Sequence, residues 1–297
     1  NLLPERVGIR MTDAELDNPQ IIEKALHARF SIDDLAGKSA LHGGQAMIAY
    51  NISHRASQDI DLYISENTIT ERQLGLIKDA LKEEFNDSGM EVRKFKIAHL
   101  PSRTKPERLT KITASIASQR LKAKDNTKSL IRRFGENKGL DIEISLNNNM
   151  FHLSTIDSQD VTITVSSLTR IVYEKILSLC ENSPSYVNAH PGKGNVKRNL
   201  RAKDMFDISS ILRARTDLQA QLVDVDDIGF LETMMGSIAV TKHDLTGLIN
   251  DMTMHEDWYR KEYETMNETL VPVKERIDFA VAKARVLNLL TLILNEM

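Results

Sequence analysis

The chain has 297 residues and a formal net charge of −3, enough length for a substantial core and for two domains, and too little charge to point to any partner by itself. Its single cysteine, Cys180, excludes an internal disulfide and fits a reducing compartment. No apolar run is long enough to cross a bilayer and nothing at the N-terminus resembles a signal peptide, so a cytoplasmic protein with no membrane partner is expected.

In chain order, residues 19–30 carry Ile22, Ala25, Leu26 and Phe30 at near-helical spacing and predict a helix. A short strand is expected over 38–42, then a Gly43-Gly44 turn, then a helix over Gln45–Ile52. Asp59–Ser65 alternates, with Ile60, Leu62 and Ile64 on one side and Asp59, Asp61 and Tyr63 on the other, which predicts a half-buried strand with a polar face. An amphipathic helix follows over 70–86, and Glu91–Ile97 reads as another strand. Residues 101–137 are basic and polar and predict no element. Leu140–Leu146 alternates again, with Leu140, Ile142 and Ile144 opposite Asp141, Glu143 and Ser145. Val161–Val165 is a further strand. From Ser166 onward the pattern is helical, interrupted by the Pro-, Gly- and Asn-rich stretch 181–199. The expected architecture is therefore α+β, with a domain boundary near Ser166. The N-terminal part, 1–165, holds the sheet and the C-terminal part, 166–297, is all helical.

Charge is unevenly spread. Between Arg93 and Arg133 there are thirteen Lys or Arg against two acids, Glu107 and Asp125, and a second basic cluster spans Lys193, Lys197, Arg198, Arg201 and Lys203. Such asymmetry predicts either a polyanion-facing side or solvated helix faces. On the first reading Lys111, Arg120, Lys122, Lys124, Arg132, Arg133, Lys197 and Arg198 would contact RNA.

Two carboxylates at i and i+2 of a strand share a face, and a glycine turn beside them lets backbone approach a phosphate. Asp59 and Asp61 downstream of Gly43 and Gly44 thus suit a Mg²⁺-nucleotide site (Mn²⁺ serving equally), with Glu143, or alternatively Asp141, as third acid. Arg55 and Ser57 precede the acids, where a guanidinium and a hydroxyl could hold a triphosphate. Lys175 falls on the apolar stripe Leu168, Ile171, Val172, Ile176 and Leu179. Asp204 shares helical spacing with Ile208 and Ile211. By periodicity alone the two charges predict a structural ion pair. Alternatively the lysine faces an anionic cleft, with Asp204 orienting it or acting as general base. The sequence HPGKG at His190–Gly194 lacks the context of a phosphate-binding loop, and His243 and His255 lack zinc-ligand spacing. Met234, Met235, Met252, Met254 and Cys180 are expected to fill core.

The ordered set LHGGQAMIAY, RASQDIDLYI, YEKILSL and RAKDMFDI resembles the AbiEii-type nucleotidyltransferase toxins, a branch of the DNA polymerase β-like superfamily. The resemblance runs from Leu41 to Ile208. It implies a mixed-sheet catalytic domain followed by a helical domain that contributes Lys175 and Asp204 to the active site. By position it implies Gly43 and Gly44 as the glycine motif and Asp59 and Asp61 as metal ligands. Gln45 departs from the small hydroxyl residue common in relatives at that nucleotide-binding position. The resemblance also implies a toxin of a toxin–antitoxin or phage-defence system, with a cognate antitoxin. It implies transfer of a nucleotide from an NTP to the 3′ end of tRNA or another RNA rather than to DNA. Transfer to a protein or small-molecule hydroxyl, or a non-catalytic binding module, are the competing readings.

Overall fold

The structure is a computed structural model that describes residues 16–35, 37–101, 107–119, 131–134, 138–158, 160–191 and 199–297. Helix α1 (Asn18–Phe30) starts where Asp17 and Gln20 form a reciprocal capping box, which satisfies two otherwise orphan backbone amides. Strand β1 (Ser39–His42) runs directly into α2 (Gly43–Ala49), so the two glycines are the first residues of the helix rather than a separate turn. Strand β2 (Asp59–Ile64) has the expected alternation, with Ile60, Leu62 and Ile64 buried. The amphipathic α3 (Glu71–Asp87) buries Leu74, Ile77, Leu81 and Phe85 and is capped by Thr70 and Gln73.

Strands β3 (Met90–Leu100) and β4 (Leu109–Ser118) form a long antiparallel ribbon. β4 lies inside the basic segment for which no element is expected. Its signal was present, because Thr110, Ile112, Ala114 and Ile116 alternate with Lys111, Thr113 and Ser115, but the density of charge masked it. Then come β5 (Leu140–Ser145), β6 (Leu153–Ser158) and β7 (Val161–Ser166). β6 also has no sequence forecast. It is a largely exposed edge strand, and its pairing with β7 rather than any apolar pattern holds it in place.

The seven strands make one mixed sheet in the order β3-β4-β5-β2-β1-β7-β6. β2 lies parallel to β5 and antiparallel to β1, and β1 lies parallel to β7. Helices α1 and α3 pack on each other, and against β7 and β3 respectively.

Beyond Ser166 every described element is helical, counting one short 3₁₀ turn (Val273–Glu275) with the α-helices. These are α4 (Leu168–Glu181), α5 (Pro184–Ala189), α6 (Ala202–Ala214), α7 (Leu218–Gln221), α8 (Val225–Ile238), α9 (Lys242–Met254), α10 (Glu256–Leu270) and α11 (Phe279–Glu296). α6 packs against α4, α10 and α11, and nearly all of its side chains are buried, as a helix enclosed by neighbours requires. Met235 and Met252 are core, and so is Cys180, whereas Met254 is exposed at the end of α9.

Leu62 is fully buried on the central strand that carries the acidic pair. Leu62→Ala is expected to destabilise the fold by about 2–5 kcal/mol, measured by urea unfolding.

Candidate functional site

The parallel register of β2 and β5 sets Asp59 opposite Asp141 and Asp61 opposite Glu143. Like charges directly across a ladder are destabilising, so such an arrangement needs a cation to compensate it. Burial, with Asp59 and Glu143 nearby, pushes the Asp61 carboxyl up to about 7. Asp141 has its own partners. It is buried, accepts from Thr113 Oγ1 at 2.6 Å and pairs with Lys111 Nζ at 2.8 Å. Glu143 also receives Lys111 at 2.9 Å but remains on the wall of the cleft, which Asp141 does not line. Of the two candidate third acids, the structure therefore brings Glu143 to Asp59 and Asp61.

The glycines are required where they stand. Gly43 has φ of +69°, and a Cβ there would collide with the Asp61 carboxylate; one on Gly44 would run into the Ser57 hydroxyl. Ser57 Oγ donates to Asp59 at 3.3 Å. Gln45, expected to touch nucleotide, is buried behind this loop, donates to the Ser57 carbonyl at 3.3 Å and does not line the cleft. Its position two residues into α2 turns the side chain away from the acids, toward α1.

The opposite wall comes from the helices. Lys175 Nζ donates to Asp204 at 3.2 Å and to Asp207 at 2.6 Å, so the pair expected from periodicity is in fact a three-membered cluster. Asp207 also holds Arg55 through two parallel bonds of 3.1 Å, to Nε and Nη2. Arg55 thus faces the cleft with its guanidinium already bound on one side, not free to wrap a triphosphate. The other oxygen of Asp204 takes Arg201 Nε at 2.8 Å.

Burial opposes the charge on Lys175, but Asp207 and Asp204 outweigh it and hold the ammonium above its usual range. Burial likewise opposes the Asp207 carboxylate, and Lys175 and Arg55 hold it well below the ordinary range. Lys203, partly enclosed and beside Arg201, is pushed down. Asp207 escaped the sequence reading. Its signal is a second acid at i+3 from Asp204, flanked by the apolar residues Met205, Phe206 and Ile208.

These residues line a cleft of about 530 Å³. Asp59, Asp61 and Glu143 form its sheet side, and Arg55, Lys175, Arg201 and Lys203 its opposite side, with Ile171, Glu174 and Ser178 of α4 closing one end. Each of the three residues of the 54–56 loop is tied to the helical part around it. Ala56 N–H donates to the Leu270 carbonyl at 3.0 Å, and His54 pairs with Glu275 at 2.7 Å beside the Arg55–Asp207 clamp. The N-terminus of α6 is held by Glu262, which accepts from the amides of Leu200 and Ala202, each at 2.8 Å.

A family model described as "Nucleotidyl transferase AbiEii toxin, Type IV TA system" matches residues 24–284. The chain belongs to the AbiEii nucleotidyltransferase toxin family. Two solved structures from Helicobacter pylori share its fold. One, described as a candidate nucleotidyltransferase, has TM-score 0.53 and 15% identity over 94% of this chain and 96% of its own. The other, JHP933, has TM-score 0.50 and 17% identity over 95% of this chain and 94% of its own. No match is found among curated proteins. The chain is accordingly a nucleotidyltransferase of a type IV toxin–antitoxin family, and its expected mixed sheet followed by helices is the observed fold.

In this AbiEii toxin several residues expected to grip RNA are committed elsewhere. Lys111 neutralises Asp141 and Glu143, and Arg132 donates to the Leu16 carbonyl at 2.7 Å, anchoring the 131–134 segment to the start of α1. Arg133 is exposed. Arg120, Lys122, Lys124, Lys197 and Arg198 lie outside the described residues, as does most of HPGKG. No helix among the described residues is long and apolar enough to cross a membrane.

Asp207→Asn removes the one charge that balances both Arg55 and Lys175. It is expected to cost about 3–5 kcal/mol in chemical denaturation. A carboxyl whose folded pKa is raised contributes stability below its unfolded pKa and loses it as pH rises through the folded value. For Asp61 that window runs from the ordinary carboxylate range to about 7. Without divalent metal, Asp61→Asn should therefore melt higher than wild type at pH 8, and the difference should shrink steadily toward pH 4.

Proposed function

We propose that this AbiEii toxin transfers a nucleoside monophosphate from an Mg²⁺-bound NTP to the 3′ end of an RNA, most readily tRNA, and so blocks translation. The observation that carries the reading is the polarity of the cleft: three carboxylates on the sheet side face four cations from the 55 loop, α4 and α6. Among the described residues no three His, Cys, Asp or Glu side chains are gathered tightly enough to form a ready-made metal site. That suits Mg²⁺, which is commonly held by one or two carboxylates with substrate phosphates completing its shell. The donors fit: hard carboxylate oxygens gathered on one side of the cleft, with Asp59 and Glu143 close to the buried Asp61. Asp59 and Asp61 would hold the ion, with Glu143 on the same side of the cleft as the further acid, and when bound it would supply charge neutralisation at the reacting phosphate.

The protein's own groups supply the rest. Gly43 and Gly44 leave room for the Asp61 carboxylate and the Ser57 hydroxyl to sit against the start of α2, so acid and hydroxyl meet the substrate side by side. Lys175, Arg55, Arg201 and Lys203 offset the charge of the triphosphate and the departing pyrophosphate. Most of these cations are fixed by carboxylates before substrate arrives, so little reorganisation is needed during reaction. In the reaction the acceptor hydroxyl oxygen bonds to the α-phosphorus, the bond to the β-phosphate bridge breaks to release pyrophosphate, and the hydroxyl proton leaves to solvent. Both oxygens of Asp204 are taken, by Lys175 and Arg201, so it orients those cations and is a poor base for the acceptor proton.

An RNA acceptor is supported by the open face of the ribbon. In register with Lys111 and Thr113, the β3 residues Ala98 and Lys96 continue the face that carries Glu143, and Lys94 and Lys96 are exposed on it. A backbone laid across that face would leave its 3′ end at the acids. A toxin acting on such an acceptor would work in the cytoplasm, and its family implies an antitoxin partner.

The test is purified protein with total tRNA, Mg²⁺ and each labelled NTP in turn. Labelled RNA is expected with one or a few NTPs, lost with a chelator and in Asp59→Asn and Asp61→Asn, and falling steeply with salt. Label on protein or a small molecule instead would move the acceptor, and label retained in both Asp variants would overturn the catalytic reading. Gly43→Ala should fold yet lose about 100-fold in rate, because displacing the Asp61 carboxylate misaligns the site.

A further inference from the structure

One wall of the cleft plays no part in balancing charge. His42, the last residue of β1, sits across the ladder from Asp61 and stacks on Tyr63, ring centroids 3.6 Å apart and planes within 8°. The Arg170 guanidinium lies 4.6 Å from the centroid of the same Tyr63 ring, and Arg170 in turn donates to Glu174 at 2.7 Å. The imidazole is therefore held by its neighbours. Its Nε2 is buried and has no hydrogen-bond partner. Several buried polar atoms are orphaned in this way, but His42 is the one such residue that lines the cleft among those described.

A buried nitrogen left unpaired costs roughly 1–3 kcal/mol, and a ligand group that bonds it recovers that cost. The chemistry of the position narrows what the ligand group is. The unpaired Nε2 is a single hydrogen-bonding point, unlike the cations fixed by carboxylates on the opposite wall. Depending on tautomer it accepts or donates one directional hydrogen bond, which suits a neutral polar group. Position narrows it further. Ser57, Asp59, Asp61 and Tyr63 follow one another along the chain into β2, and within a strand alternate residues lie about 6.6–6.8 Å apart. With the pyrophosphate at the Ser57 end and the reacting phosphate at the acids, the Tyr63 end receives what lies on the far side of that phosphate, which is nucleoside.

We propose that His42 Nε2, fixed by the Tyr63 stack, is a specificity-determining contact that reads a neutral hydrogen-bonding group of a nucleoside, either a sugar hydroxyl or a base edge. The inference rests on the nucleotidyl-transfer reading above. Two nucleosides meet at this end of the cleft, that of the incoming NTP and the terminal one of the acceptor, and the experiment separates them.

The variants are His42→Phe, which keeps a ring against Tyr63 and removes both nitrogens, and His42→Gln, which restores a polar group at similar reach. Binding of the four Mg²⁺-NTPs is measured by calorimetry. Turnover is measured with each NTP on one RNA, and with the preferred NTP on RNAs differing only in the terminal nucleotide. His42→Phe is expected to shrink the ratio between preferred and next-best substrate by about 5- to 150-fold in one of the two series, the range a lost buried hydrogen bond corresponds to. His42→Gln should recover part of it. A change in the NTP series, seen also in binding, assigns the contact to the incoming nucleotide; a change confined to the acceptor series assigns it to the RNA end. Equal losses for every substrate, or ratios unchanged, would overturn the inference while leaving nucleotidyl transfer intact. Wild-type protein that neither binds nor transfers any NTP would overturn both.

Discussion

Everything about the cleft depends on Asp207. One fully enclosed carboxylate binds Arg55 from the loop before β2 and Lys175 from α4, itself lying on α6. It therefore joins the sheet to the helices through charge, at the point where apolar packing gives way to the cleft. Burying a charged group is expensive unless its partners are close and well aimed, and here two cations supply that. Removing the carboxylate would strand both.

The second constraint is its converse. On the sheet side carboxylates gather with too few cations, Lys111 being bonded to Asp141 and Glu143. Burial and this crowding together raise the Asp61 carboxyl, the combination that marks a functional cleft. The opposite wall carries four cations against Asp204 and Asp207. A metal-bound triphosphate, cationic at one point and anionic along its length, complements both walls at once. The corner of His42 and Tyr63 is distinct from either, offering stacked rings and one unpaired nitrogen where the two walls offer charge.

Much of the site was legible before any coordinates. Period-two alternation put Asp59 and Asp61 on one face, because the pleat leaves no alternative once Ile60, Leu62 and Ile64 are buried. Misplaced charges on apolar helical stripes marked Lys175 and Asp204 for the same reason in reverse. Other residues were misjudged where a side chain's partner lies far away in the chain. Gln45 and Lys111 carry the right chemistry for phosphate, but each is drawn into a hydrogen bond or ion pair that depends on strand register and helix phase. β6 went unread because an edge strand owes its existence to its neighbour.

The sequence by itself determined the element types around the site, the shared face of Asp59 and Asp61, and the need for glycine beside them. It could not choose between Asp141 and Glu143, since alternation gives both the same face. Only the pairing of β5 with β4 decided it. That register puts Thr113 on Asp141, Lys111 bridges both acids, and Glu143 alone of the two lines the cleft. Nor could it show Asp207 clamping Arg55, a contact spanning 152 residues of chain. Local physics is written in neighbouring residues, whereas the balance of buried charge is settled only when distant ones meet.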